Sequence, residues 1–387
     1  MPNQYPVMRK TGDQVANLNG HRQRLVVLLG AGSTMHANAP STDDITDHLC
    51  TRVRGNALME QVIKGLCEQR GALGFNFESV MSALESLQDY VQNKRYPPMV
   101  GGEAGAFTAF KPDYERFLRF GNADDPFYDP FFGLLWQLKQ IIAEYVIART
   151  QSSCVSGLSA FIGRLKKHFD LTVVTLNYDD LIDRAGVWFD GFGFAPVNDA
   201  GEYQIFDHAA FLARASSDPA VLLHLHGSVR FGRNPGCGSY VVKYQSAQEA
   251  QQSFNQTMTR GPGEIAIVSG DKKLYAINSL FAPLGYYHNT FVNAALNCPL
   301  WLIAGYGGND AHVNHLIQES AWIHGGRGGR IVHIDPAERP SWPFLPRGNV
   351  HWTPPKLRSY NGSERGNFPP SGDSLNEIIE FLCGGNS

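Results

Sequence analysis

The stretch from Arg24 to Leu49 constrains the fold of this chain more than any other. Leu25–Leu29 is a short run of branched apolar residues, typical of a strand that is covered on both faces in a parallel sheet. It is followed by Gly30–Ser33, a turn with two positions that lack a Cβ and then a hydroxyl. Because backbone N–H groups in such a turn can close on a phosphate, the stretch predicts either a nucleotide phosphate site or a plain structural turn.

The pattern of a buried strand ending in glycine or polar residues recurs four more times along the chain. Carboxyl ends of parallel strands meet at one edge of an open sheet, which is where ligands bind. The sequence therefore predicts an α/β protein with a Rossmann-like parallel sheet, in which five distant positions converge: Gly32, Asn177, His226, Gly305 and Asp335.

Between these strands lie segments of other character. Apolar residues at helical spacing, as in NFESVMSALESLQDYV, predict a helical insertion over about residues 55–168. Glycines, aromatics and short strand-like runs predict a lid or small subdomain over about 231–290. We expect a nucleotide-binding domain at 23–340, a polar arm at 1–22 and a C-terminal extension at 341–387 that ends in a helix.

Composition excludes several classes of function. A net charge of −3 with no long basic run predicts no direct nucleic-acid binding and no membrane-surface binding. The six cysteines are scattered without a CxxC pair, so neither a zinc ribbon nor a disulfide framework is expected. No apolar run approaches the ~18 residues of a membrane helix, and the N-terminus lacks a signal peptide, so a cytoplasmic protein is expected.

Five short motifs in a fixed order resemble the sirtuin-like NAD-binding fold. Each is ordinary by itself, and all five fall at or just after predicted strand ends. NFESVMSALESL is also similar to the helical insertion of bacterial sirtuin-like defence proteins. The motifs are GAGST (30–34), TLNYDD (175–180), HLHGSV (224–229), GYGGND (305–310) and IDP (334–336).

The resemblance implies that the chain binds NAD and cleaves its nicotinamide N-glycosidic bond. That reaction passes through an oxocarbenium-like ribosyl cation, which needs an oriented leaving group and an activated oxygen nucleophile. Asn177 would orient a water or the ribose, and His226 would accept a proton. Asp179 would hold the carboxamide. At Gly32, a substituted side chain would be expected to meet the diphosphate. The other residues expected to bind NAD are Gly30, Ala31, Gly32, Ser33, Thr34, Gly305, Tyr306, Gly307, Asp310 and Asp335.

Departures from sirtuin deacylases narrow the expected activity. The four-cysteine zinc module is missing, Ser41–Asp43 stands where deacylases have a Phe-Arg pair, and Leu176 replaces a Gln. The combination resembles the bacterial sirtuin-like NAD hydrolases of abortive antiphage defence, which implies an NAD glycohydrolase. Two alternatives stay open: a non-hydrolytic sensor that binds NAD or ADP-ribose and acts through assembly, and a protein deacylase or ADP-ribosyltransferase.

Each site residue also has a structural alternative. Asn177 and Asp179 are suited to capping a helix, Asp310 to an N-cap, and His226 to a hydrogen-bonded place in the core. Two histidine pairs, 224 with 226 and 312 with 315, raise the possibility of a metal site. Neither pair has a cysteine or a fixed carboxylate at ligand spacing, so no metal is expected.

An NAD hydrolase needs restraint, and no sensor domain is visible in the sequence. The resemblance therefore implies a partner protein such as a HerA-type hexameric ATPase, in a bacterial cytoplasm. The arm, the proline-rich segment at about 95–130 and the C-terminal helix contribute no motif, which predicts that they make subunit contacts in a homo-oligomer.

Overall fold

The structure is a computed structural model that describes residues 22–70, 75–95, 130–193, 203–233, 241–256, 264–267, 282–335, 356–361 and 369–384. Its strands are β1 (Gln23–Leu29), β2 (Phe169–Thr175), β3 (Phe192–Gly193), β4 (Tyr203–Phe206), β5 (Ala220–His224), β6 (Gly227–Arg233), β7 (Val241–Tyr244), β8 (Glu264–Ile267), β9 (Leu300–Ala304), β10 (Arg330–Asp335) and β11 (Lys356–Asn361).

The helices are α1 (Thr42–Arg52), α2 (Ala57–Arg70), α3 (Phe77–Arg95), α4 (Pro130–Thr150), α5 (Ser156–His168), α6 (Leu181–Ala185), α7 (His208–Arg214), α8 (Ala247–Gln256), α9 (Leu284–Asn297), α10 (Ala311–His324) and α11 (Gly372–Cys383). None of the described helices is long and apolar enough to cross a membrane.

A six-stranded parallel sheet forms the centre of the fold, in the order β11-β10-β9-β1-β2-β5. This confirms the predicted α/β class and the five predicted strands. β1 lies between β9 and β2, with Leu29 in register with both Ala304 and Thr175. The carboxyl ends of these three strands therefore share one edge. The sixth strand, β11, was not predicted, because its sequence KLRSYN has no apolar run.

Helices on this sheet share one hydrophobic core with it. Buried side chains of α5, α9, α10 and α11 pack with those of β1, β2 and β9, and the largest of them is Trp301. Sequence analysis placed α5 in the helical insertion, yet its Leu158, Phe161 and Leu165 belong to the sheet core. The helical period was correct, but periodicity does not say which neighbour a face packs against.

A second core is built by α1 to α4 together with α8 and the strands β6, β7 and β8. The predicted helix in NFESVMSALESLQDYV is confirmed as α3, and its apolar face packs on α4 and α2. The N-cap of α1 is Ser41, whose hydroxyl accepts the Asp44 N–H in a reciprocal capping box. Ser41 and Thr42 at the start of this helix line the same cleft as Gly30, which follows β1.

The predicted small subdomain is a five-stranded antiparallel sheet, in the order β3-β4-β7-β6-β8. It begins at Phe192, well before the expected residue 231, because β7 pairs with the earlier strand β4 as well as with β6, and β4 in turn pairs with β3. The chain passes from β5 of the parallel sheet to β6 of the second sheet through Leu225 and His226. A predicted catalytic residue therefore lies at the connection between the two sheets.

A buried ion cluster joins the two sheets. Lys243 Nζ lies 2.6 Å from Asp183 Oδ1 and 2.5 Å from Asp190 Oδ2, and His224 Nε2 lies 2.9 Å from Asp183 Oδ2. Burial raises the pKa of Asp183, but Lys243 and His224 outweigh it and hold that pKa well below its usual range. His224 thus serves this cluster and does not share a ligand face with His226.

The C-terminal helix packs back onto the chain. The apolar face of α11, with Leu375, Ile378 and Leu382, is buried in the core of the parallel sheet. That face is consequently not available for a subunit contact. Most of the other two segments expected to make such contacts, the arm and the proline-rich segment, lies outside the described residues.

Candidate active site

A cleft of about 490 Å³ lies at the carboxyl edge of the parallel sheet. It is bounded by the loops after β1, β2, β5 and β9 and by the starts of α1 and α3. Its lining residues are Gly30, Ala31, Thr34, Pro40, Ser41, Thr42, Asp43, Ile45, Asn76, Phe77, Glu78, Val146, Leu176, Asn177, Tyr178, Asp179, His226, Gly305, Tyr306, Gly307, Asn309 and Asp310.

Two glycine loops are locked together beneath the cleft. Gly30 N–H donates to Ala304 O at 2.9 Å, and Gly32 N–H donates to Gly305 O at 3.0 Å. A Cβ on Gly32 would lie 2.8 Å from Gly305 Cα, and one on Gly305 would lie 2.1 Å from Ser33 N. Gly305 also has φ +61°, a region that favours glycine. These glycines allow one loop backbone to touch the other.

This packing corrects the expectation for the first glycine turn. Four of the five N–H groups in Gly30–Thr34 donate to carbonyl oxygens of the protein itself, so the turn does not offer a full ring of donors to a phosphate. Gly32 and Ser33 do not line the cleft, and the Ser33 hydroxyl donates to Gly30 O at 2.7 Å. Ala31 is the position of the turn whose N–H remains for an anion.

Asn177, Thr34 and Asp179 form a chain of hydrogen bonds in the cleft. Asn177 Nδ2 donates to Thr34 Oγ1 at 3.0 Å, and Thr34 Oγ1 donates to Asp179 Oδ2 at 3.0 Å. A hydroxyl has one proton, so Thr34 must accept from Asn177 when it donates to Asp179. This fixes the orientation of the Asn177 amide and leaves its oxygen for a ligand.

Asp179 is a buried carboxyl with two internal donors. Burial raises its pKa to about 6, although the Leu181 N–H and the Thr34 hydroxyl oppose that shift by donating to it. The contact with Leu181 shows that Asp179 also satisfies the start of α6. Asp179 therefore has the structural role at the start of a helix and also lines the cleft.

His226 lies at the turn between the two sheets, 3% exposed. Its Nε2 is 3.6 Å from Asp310 Oδ1. Gly227, which follows it, has φ +83°, and a Cβ there would lie 1.8 Å from Ala266 O. The backbone is thus tightly constrained directly after His226, which fixes where the imidazole enters the cleft.

The second glycine loop is held by Tyr306. Its hydroxyl donates to Asn314 Oδ1 at 2.7 Å and accepts the Asp310 N–H at 3.2 Å. Burial, with the nearby Asp310 carboxylate, raises the pKa of Tyr306. Asp310 stands at the N-cap position of α10 but makes no side-chain capping bond. Its carboxylate faces His226 instead.

The helical insertion also contributes to the cleft, which the sequence motifs did not predict. Asn76, Phe77 and Glu78 at the start of α3 line it, and the Tyr178 hydroxyl donates to Glu78 Oε1 at 3.2 Å. Burial and the Glu78 charge raise the pKa of Tyr178. The polar residues of the NFES sequence could have indicated this contribution, but the pattern predicted only a helix of the insertion.

The described charged side chains that line the cleft are all acidic. Four carboxyl groups line it, from Asp43, Glu78, Asp179 and Asp310, and the described lining contains no Lys or Arg. Such a cleft favours a cationic group over an anion. Any phosphate here would depend on backbone N–H groups and hydroxyls.

Most of the predicted site residues meet in this cleft. Gly30, Ala31, Thr34, Asn177, Asp179, His226, Gly305, Tyr306, Gly307 and Asp310 line it. Gly32 and Ser33 lie beneath it. Asp335 ends β10 at the same edge of the sheet, but its side chain is outside the described part of the structure.

The packing of the two loops predicts the effect of a side chain at Gly32. Gly32→Ala should lower the free energy of unfolding by about 1–3 kcal/mol, because two backbone segments must separate. Gly163→Ala is the matched control: Gly163 lies inside α5 with nothing within 4 Å of its Cβ position, so it should stabilise by about 0.5–1 kcal/mol. Urea denaturation measures both. Wild-type stability with weakened ligand binding in Gly32→Ala would contradict the packing account.

The buried Asp179 predicts a pH dependence of stability. Its pKa is about 6 in the folded protein and 3.8 ordinarily, so the folded state holds the proton more tightly. The stability that Asp179 contributes is therefore present below about pH 4 and is lost as the pH rises to about 6, amounting to about 3 kcal/mol. The unfolding free energy of wild type minus that of Asp179→Asn should fall by most of this amount between pH 4 and 7. A constant difference would refute the assignment.

Comparison with known proteins gives one family match. Residues 171–343 match the family described as SIR2-like domain. No curated protein matches the chain. The match begins at Leu171, so β1 and the first glycine turn lie outside it, while the fold brings them against the matched segment.

Solved structures similar to the chain include Sir2 proteins. One is a Sir2 homologue in complex with NAD, at 14% identity and TM-score 0.42, covering 94% of this chain and 90% of the other. Another is a mutant Sir2 homologue in complex with ADP-ribose, at 16% identity and TM-score 0.44, with 94% and 92% covered. A third comes from work on the mechanism and regulation of Sir2 enzymes, at 13% identity and TM-score 0.42, with 94% and 92% covered.

Proposed function

We propose that this protein is an NAD glycohydrolase, which converts NAD and water to ADP-ribose, nicotinamide and a proton. The observation that carries the proposal is that two groups of interacting polar side chains lie in one cleft. One is the Asn177–Thr34–Asp179 chain, and the other is the His226–Asp310 pair. The SIR2-like match over residues 171–343 supports the same class of ligand.

The charge of the cleft suits the reacting end of NAD. The nicotinamide ring is cationic, and during cleavage its positive charge moves onto the ribose. Carboxylates already fixed around the reacting atoms stabilise that charge without reorganising. In our proposal the carboxylates that stabilise this positive charge belong to Asp179, Glu78 and Asp310. The diphosphate is bound through the Ala31 N–H and the loop at 305–307.

The chemical step uses one base and one orienting amide. The glycosidic C–N bond breaks with its electron pair leaving on nicotinamide, and a water oxygen bonds to the ribosyl carbon. His226 Nε2 accepts the proton of that water, and the Asp310 carboxylate 3.6 Å away stabilises the resulting imidazolium. Asn177 orients the water or the ribose through its amide oxygen, which Thr34 keeps available.

This mechanism predicts the phenotype of two substitutions. His226→Ala should lower the rate of nicotinamide release by about 10²-fold or more, because general-base catalysis is lost, and Asn177→Ala should remove most of it. His315→Ala, an exposed histidine on α10, is the control and should retain the wild-type rate. Chromatography of the products from purified full chain and NAD measures this.

The outcomes also separate the alternatives. Wild-type turnover in His226→Ala would overturn the mechanism. Tight binding of NAD or ADP-ribose by calorimetry, with no nicotinamide released from the wild-type protein, would favour the sensor. Nicotinamide release that requires an acyl-lysine peptide or transfers ADP-ribose to protein would favour a deacylase or an ADP-ribosyltransferase.

For the biological role, we propose NAD depletion in abortive antiphage defence, restrained until a partner such as a HerA-type hexameric ATPase acts. Support comes from the resemblance to bacterial sirtuin-like NAD hydrolases and from the need to restrain such an activity. A homo-oligomer suits this regulation, because one binding event can then switch several sites.

The assembly proposal has its own test. Light scattering on the purified full chain should give a mass of at least two subunits, and adding the partner should raise the rate of NAD cleavage. A monomer that is fully active without any partner would contradict the assembly proposal and leave the chemistry unaffected.

A further inference from the structure

Three side chains at the end of the cleft have the composition of a metal site. The ligand atoms of His226, Asp310 and His312 all lie within 4.8 Å of one another. His226 Nε2 and Asp310 Oδ1 are 3.6 Å apart. Ligands of a first-row metal bind at about 2.0–2.2 Å from the ion, so small side-chain rotations would bring this set around one ion.

The residues come from two separate elements that the fold holds in place. His226 is fixed by the turn between the two sheets. Asp310 and His312 straddle the start of α10, and the loop before this helix is held by Tyr306. The three ligand positions are therefore arranged by backbone that is already constrained, which favours metal binding over rearrangement of a flexible loop.

This arrangement revises the sequence-based expectation of no metal. The pairs suggested by spacing were 224 with 226 and 312 with 315, and neither forms: His224 lies in the buried ion cluster and His315 is exposed. The structure instead combines one member of each pair with the carboxylate that spacing did not reveal, Asp310.

The surroundings also favour a cation. The cleft beside the cluster carries carboxyl groups and no described Lys or Arg. His288 lies with its ring centroid 5.9 Å from that of His312. A further imidazole, a side chain that transition metals of the zinc class bind, therefore lies next to the cluster.

We propose that His226, Asp310 and His312 bind a divalent transition-metal ion of the zinc class, and that the bound ion inhibits the enzyme. Two imidazoles and one carboxylate suit Zn²⁺, Co²⁺ and Ni²⁺ better than Mg²⁺ or Ca²⁺. Metal on His226 Nε2 occupies the electron pair that would accept the proton from water. This inhibitory consequence rests on the proposed NAD glycohydrolase activity, whereas the binding itself does not.

The binding test uses the full chain after treatment with a chelator, with Zn²⁺ alone as the probe in calorimetry. Wild type should bind one ion per chain at this site. His312→Ala and Asp310→Asn should each weaken that binding at least about tenfold. His315→Ala, on the same helix, should bind like wild type. Equal zinc binding by the His312→Ala and His315→Ala proteins would place the ion elsewhere, for example on exposed thiols, and would overturn the proposal.

The inhibition test uses the same proteins with NAD. Zn²⁺ should inhibit nicotinamide release by wild type and His315→Ala at the concentration at which it binds. His312→Ala should cleave NAD at about the wild-type rate without zinc and should resist inhibition at least about tenfold. Inhibition of His312→Ala at the wild-type zinc concentration would contradict the inhibitory role.

The two proposals fail separately. If zinc binding depends on His312 but no protein releases nicotinamide, the metal site is supported and the proposed function is wrong. If wild type releases nicotinamide but zinc binding does not depend on His312, the proposed function stands and the metal site is wrong.

Discussion

The backbone contact between the two glycine loops determines the geometry of the candidate site. Gly32 and Gly305 approach each other so closely that neither position has room for a side chain. The contact joins the end of β1 to the end of β9, and Gly305 N–H continues it by donating to Ile334 O at the end of β10. Three strand ends are thus held together before any ligand binds, which is the preorganisation that a catalytic cleft needs.

Around this contact, hydroxyl hydrogen bonds and a buried ion cluster hold the walls of the cleft. Thr34 fixes Asn177 and Asp179 through its hydroxyl. Tyr306 fixes the loop that carries Asp310. The ion cluster around Asp183 joins Lys243 of the antiparallel sheet to His224 of the parallel sheet. A buried charge cluster of this kind is costly to break, because removing one member leaves the others unpaired.

The sequence predicted the parallel sheet and most of the cleft because both depend on local patterns. Short apolar runs reveal buried strands, and a parallel sheet brings their carboxyl ends to one edge. The prediction failed where the cause was tertiary. Gly32 was expected to meet a diphosphate, but the neighbour that excludes its side chain is Gly305, 273 positions away in the chain. The strand β11 was not predicted because it has no apolar run. The position of Glu78 in the cleft was not predicted because it depends on how the helical insertion packs.

The proposed function requires NAD to bind across the locked loops, with its nicotinamide ribose beside Asn177 and His226. A crystal structure of the full chain with ADP-ribose would show whether it does. We predict the diphosphate at the Ala31 N–H and the loop at 305–307, and the terminal ribose within hydrogen-bonding distance of Asn177 or His226. ADP-ribose bound away from this cleft, or with its adenine in place of the terminal ribose beside His226, would contradict it.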